Sequence, residues 1–123
     1  MTNEDKPHET VAFRMRLHVG QADAYRQRHE AIWPELVALL RRAGVLDYRI
    51  FLDAETHHLF AVLTRRPDHT MADLPASDVM RRWWAMMGDI MATNADGSPE
   101  VVDLRSMFVL DMGARPGPRA NPA

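Results

Sequence analysis

The spacing of apolar residues switches repeatedly between strand and helix periods across residues 11–111, and the order of those switches leaves few folds open. In "VAFRMRLHV", Val11, Phe13, Met15, Leu17 and Val19 fall on one side and Arg14, Arg16 and His18 on the other, the two-residue period of a half-buried strand ended by Gly20. Residues 22–43 repeat helically: Tyr25, His29, Ile32, Trp33, Leu36, Leu39 and Leu40 share a band, and Gly44 is placed to cap the C-terminus. Next, "LDYRIFLD" alternates through Leu46, Tyr48, Ile50 and Leu52, and after "AETHH" comes the apolar run "LFAVLT", which together predict a hairpin. The segment "PDHTMADLPAS" reads as a loop or broken helical turn. Helical spacing returns in "DVMRRWWAMMGDIMAT" at Val79, Trp83, Met86, Met87 and Ile90, with Ser77 or Asp78 as N-cap, and "VVDLRSMFVLD" closes the chain with an alternating strand.

The order strand, helix, strand, strand, helix, strand predicts an α+β fold, a ferredoxin-like βαββαβ sandwich whose antiparallel sheet carries both helices on one face. Its other face needs a cover. A strand apolar on both sides, "LFAVLT", points to a second copy as that cover, a homodimer of the dimeric α/β-barrel type. The chain's 123 residues, 46% of them hydrophobic, suffice for one core, so a single domain is expected over residues 11–111. Flexible tails are expected at residues 1–10 and in the Pro/Gly-rich residues 112–123.

A net charge of −2, with 15 basic and 17 acidic side chains and no long block of one sign, offers no field to gather phosphates or anionic lipid. Neither nucleic acid nor membrane is an expected partner. The chain has no cysteine, which removes disulfides, thiolate metal sites and a thiol nucleophile and fits a reducing compartment. With no apolar core in "MTNEDKPHET" and no run of ~18 apolar residues, a cytoplasmic protein is expected. No metal-ligand spacing occurs, and His57 and His58 read as solvated turn residues.

His29 is the first candidate for chemistry. An imidazole gives and takes protons near neutrality, although a histidine in an apolar band also serves as a satisfied core residue. Tyr25, His29 and Trp33 recur at four-residue spacing, so phenol, imidazole and indole can line one cleft or form an ordinary aromatic stripe. Pro34 breaks the helical pattern after Trp33 and predicts a kink or restart that frees backbone polar groups near His29. In "RRWWAMM", if Trp83 belongs to the buried stripe, Trp84 stands about 100° away from it, so one of the pair should project into a cleft or a subunit interface, where a flat indole face suits the C–H side of a sugar or simply packs the interface. Tyr48 lies on the inward face of its strand, as core or pointing to the cleft of Tyr25 and His29.

The run "YRQRHEAIWPELVALLRRAGVLDYRIFLD", followed by "ASDVMRRWW" and "NADGSPE", resembles the L-rhamnose mutarotases, which interconvert the α and β anomers of L-rhamnose. The likeness extends over residues 12–111. It implies a ferredoxin-like dimer, His29 as catalytic acid, and Tyr25, Tyr48, Trp83 and Trp84 as residues that bind a small neutral sugar. It also implies a reaction without cofactor or metal, in which the pyranose opens by acid-base exchange and closes on its other face. The same scaffold hosts cofactor-independent monooxygenases and haem-handling proteins, and a non-catalytic ligand-binding dimer is a third alternative.

Overall fold

The computed structural model describes residues 7–112; residues 1–6 and 113–123, and with them most of both expected tails, lie outside the described part. Strand β1 (Glu9–Arg16) leads into helix α1 (Ala22–Glu30) and helix α2 (Pro34–Arg42), the hairpin of β2 (Val45–Asp53) and β3 (His58–Arg65) follows, and after a 3-10 helix (Met71–Ala76) come α3 (Asp78–Met87) and β4 (Val102–Leu104). The sheet order is β2-β3-β1-β4, antiparallel throughout. This is the ferredoxin-like arrangement that the periodicity predicted.

Register assigns the two faces. Met15 pairs with Leu59, Phe13 with Ala61 and Val11 with Leu63, while Tyr48, Ile50 and Leu52 oppose Leu63, Ala61 and Leu59. This face meets the helices, and Met15, Leu59, Ala61 and Leu63 are buried there with Leu36, Met80, Trp83 and Met87. The opposite face carries Arg14, Phe60, Arg49, Phe51, Val102 and Leu104. Its apolar members leave the single chain with Phe51 at 58% and Val102 at 48% exposure.

Pro34 restarts the helix rather than kinking it. Trp33 is extended (φ −67°, ψ 132°), as the residue before proline prefers, and Pro34 occupies the first turn of α2, where its missing N–H costs nothing. Ile32 N–H donates to the His29 carbonyl at 3.2 Å and Ala31 N–H to those of Gln27 and Arg28, while the break leaves the Glu30 carbonyl and the Trp33 N–H without a backbone hydrogen bond among the described residues. At the other end of α2, Gly44 has φ +107°, and a Cβ there would lie 2.8 Å from Cβ of His69.

Three boundaries differ from the sequence reading. β1 starts at Glu9 rather than Val11, and Val19, beyond its end, is 77% exposed. The buried stripe of α3 keeps the predicted Trp83 and Met87 but begins at Met80 rather than Val79. Among the described residues the last strand is paired only over Val102–Leu104, and Met107, Phe108, Val109, Leu110 and Met112 beyond it are 67–79% exposed.

Candidate active site

α1 is a polar helix with one buried residue, Tyr25, and His29 stands one turn further on, half-buried between Tyr25 and α3. Nδ1 of His29 lies 3.0 Å from the Tyr25 carbonyl oxygen. A carbonyl only accepts, so Nδ1 carries the proton and, in the neutral ring, Nε2 carries the lone pair. The Tyr25 and His29 rings stack with centroids 4.3 Å apart. Trp83 meets His29 edge-on at 5.4 Å and Trp33 edge-on at 5.2 Å, both within a few degrees of perpendicular. The Arg82 guanidinium lies 5.5 Å over the Trp33 ring on the outer side.

The sheet contributes Tyr48. Ala61 of β3 is too small to fill the space between its neighbouring strands, and Phe13 and Tyr48 approach over it with centroids 6.3 Å apart. Tyr48 is close enough to Tyr25 to oppose its ionisation electrostatically. Burial is the larger cause of the rise at Tyr25, and burial pushes the Tyr48 phenol up to about 12. Solvent still reaches the Tyr48 ring, 40% exposed, although its hydroxyl sits among many protein atoms. Both phenols are neutral donors at physiological pH. Burial also holds His29 below its ordinary 6.5, against the weaker upward pull of its bond to the Tyr25 carbonyl. The imidazole is therefore neutral at pH 7.

Among the described residues, no buried side-chain nitrogen or oxygen lacks a partner. Yet no protein hydrogen bond engages the Tyr25 hydroxyl, His29 Nε2 or Trp83 Nε1, each on a residue that is largely buried. Those three polar tips must therefore be accessible, and each is available to a ligand hydroxyl. An apolar ring cluster with a few exposed polar tips suits a small uncharged polyol. Two shallow hollows elsewhere, about 180 Å³ beside Leu39 and Leu74 and about 230 Å³ on the outer face of α1 beside Arg26 and Glu30, contain none of these tips.

Of the five residues singled out from the sequence, the structure brings together Tyr25, His29, Tyr48 and Trp83. Trp84 is partly buried against the core and makes no ring contact with them. The sequence left open which of the two tryptophans projects; Trp83, only 6% exposed, is the one that turns its ring to His29. Trp33 joins the cluster through Trp83 rather than along a continuous helix face, because the chain breaks before Pro34. The four-residue spacing signalled its presence but not its route.

The family model described as L-rhamnose mutarotase matches residues 10–110. The L-rhamnose mutarotase of Burkholderia orbicola is 62% identical over 103 residues, spanning 84% of this chain and 99% of that protein. The crystal structure of an L-rhamnose mutarotase from Formosa agariphila superposes with a TM-score of 0.77 at 41% identity, covering 83% of this chain and 98% of that one.

Proposed function

The chain belongs to the L-rhamnose mutarotase family and interconverts the α and β pyranose anomers of L-rhamnose, and we propose that His29 is its proton-transfer group. The observation that carries this reading is the accessible, unpartnered Nε2 on a ring whose tautomer the Tyr25 carbonyl fixes. The neutral ring first accepts. Nε2 takes the proton of the anomeric hydroxyl, the C1–O1 bond becomes a carbonyl, and the C1 bond to the ring oxygen breaks. The ring oxygen then receives the proton from the imidazolium, so the donation assigned to His29 is the second half of one exchange. Rotation about C1–C2 presents the other carbonyl face, and the reverse steps close the second anomer. Atoms and electrons balance between sugar and imidazole, and no cofactor enters.

Binding follows from the same cluster. The Trp83 indole offers an apolar wall and an N–H, and the Tyr25 and Tyr48 hydroxyls donate to hydroxyl oxygens of the sugar. Trp84 is assigned to sugar binding on the family resemblance alone. A neutral substrate accords with the near-balanced charge of the chain.

The functional unit in this proposal is a homodimer. Support comes from the exposed apolar residues of the open sheet face, Phe51, Val102 and Leu104, followed along the chain by the exposed Met107, Phe108, Val109 and Leu110. A second copy covers both. The cytoplasmic location implied by the resemblance belongs to the same proposal; among the described residues no helix is long and apolar enough to cross a membrane.

Polarimetry tests the activity. Freshly dissolved crystalline α-L-rhamnose relaxes to its equilibrium rotation faster with the protein than in buffer; relaxation at the buffer rate contradicts the reading.

A further inference from the structure

Arg28 precedes His29 and reaches from the last turn of α1 across to the end of α3. Its Nη1 donates to the Met86 carbonyl and to Asp89 Oδ1, both at 2.7 Å, and its Nη2 donates to Asp89 Oδ2 at 3.2 Å. Trp83, which meets the His29 ring, lies one turn before Met86 on the same helix. The guanidinium thus ties the helix that carries the imidazole to the helix that carries the indole, at the level where the two rings meet.

Little else fixes α1. It has nine residues, no side-chain cap at its N-terminus and Tyr25 as its single buried residue. Helices this short are marginal unless tertiary contacts hold them. The Arg28 side chain is only 27% exposed, against 66% for Asp89; its bond to the Met86 carbonyl is partly buried, where water competes less, while its two bonds to Asp89 are exposed. Asp89 is held below the usual carboxylate range chiefly by the hydrogen bond from Arg28.

We infer that Arg28 and Asp89 form a positioning pair for anomer exchange: their two-pronged contact sets α1 against α3 so that His29 Nε2 and the Trp83 wall keep the spacing one pyranose needs. This rests on the reading of His29 as the proton-transfer group. Neither residue touches the sugar in this account. Lysine cannot reproduce the contact, because a single ammonium lacks the planar fork that holds two carboxylate oxygens and a carbonyl together. Asparagine at position 89 keeps the shape but turns one donor toward the guanidinium.

The test measures kcat and KM for L-rhamnose anomer exchange by NMR magnetisation transfer in the intact protein, His29→Ala, Arg28→Lys, Asp89→Asn and the Arg28→Lys/Asp89→Asn double variant. Thermal melting and the His29 ring-proton resonances are followed alongside. Small displacements of a reacting group cost rate steeply, so kcat per folded molecule falls about tenfold or more in each single variant while KM changes less than about threefold. The double variant loses no more than the worse single one, because both changes remove one contact. The His29 resonances shift in Asp89→Asn, which a purely structural role leaves in place in the folded molecules.

Asp89→Asn is isosteric at a largely exposed position, keeps the chain folded and carries the decision. If it retains kcat within about threefold of the intact protein and leaves the His29 resonances unmoved, the positioning pair is wrong. If the intact protein does not exchange anomers, or His29→Ala exchanges as fast as intact protein, the reading of the site itself is wrong. The two failures are separate results of the same series.

Discussion

The His29 ring stacks on the ring of Tyr25, centroids 4.3 Å apart, while its Nδ1 donates to the Tyr25 backbone carbonyl at 3.0 Å. One residue, a single turn earlier, thereby fixes both the orientation and the tautomer of the imidazole. Helical geometry makes this possible, because residues four apart face each other. The consequence is chemical: the nitrogen left for substrate is Nε2, and it rests as an acceptor.

Activity should fall on the acid side through the pKa of His29. Burial depresses that value, so the loss of kcat/KM is centred below pH 6.5. No alkaline limb is expected through pH 9, since Tyr48 titrates at about 12 and Tyr25 is raised as well. A pH–rate profile checks this, and an acid limb centred above 6.5 contradicts it.

The same group links stability to pH. Between the lowered folded value of His29 and its ordinary 6.5 the unfolded chain binds more protons, so stability is lost as the pH falls below 6.5. The depressed Asp89 carboxyl adds stability above its unfolded value near ~3.9, lost as the pH falls through its lower folded value. Urea midpoints at pH 7.5 and 5.5 should therefore separate, and His29→Asn should narrow the gap.

Tyr25→Phe keeps the stack on His29 and removes the hydroxyl. That hydroxyl makes no protein hydrogen bond, so the melting temperature should hold, while one lost hydrogen bond to sugar raises KM by about three- to tenfold. Substrate titrations and thermal melting distinguish the two effects. A destabilised protein with unchanged KM runs against a binding role.

Gly44→Ala probes the frame rather than the site. At φ +107°, with His69 Cβ 2.8 Å from the added methyl, the substitution should cost about 1–3 kcal/mol, read from denaturant unfolding, while leaving kcat of the folded protein intact.

Phe108→Asp with Leu110→Asp places charge on residues 79% and 67% exposed in the single chain. Sedimentation should show the intact protein as a dimer and the double variant as a monomer. A monomeric intact protein refutes the proposed assembly.

Much of the fold was legible because period and register are local properties: alternation along β1 and β3 and the restart at Pro34 follow from residue spacing and from the missing proline N–H. Tyr25 and His29 were legible together for the same reason. Which of Trp83 and Trp84 meets the cluster was not legible, because angular position on α3 depends on which side of the helix meets the sheet; the predicted buried positions Trp83, Met87 and Ile90 are buried, and Met80 takes the place of Val79. The Arg28 contact with Asp89 spans 61 positions and carries no local signal at all. The unpaired part of the last strand was unreadable from alternation, which records two faces but not the neighbour at its edge.

The central claim, proton transfer through His29, is tested most directly by magnetisation transfer between the two anomeric proton signals of L-rhamnose with intact protein and with folded His29→Ala. The account predicts fast exchange with the intact protein and a loss of about 10²–10⁴-fold in the variant. Exchange in the variant as fast as in the intact protein would contradict it and move the chemistry to another group.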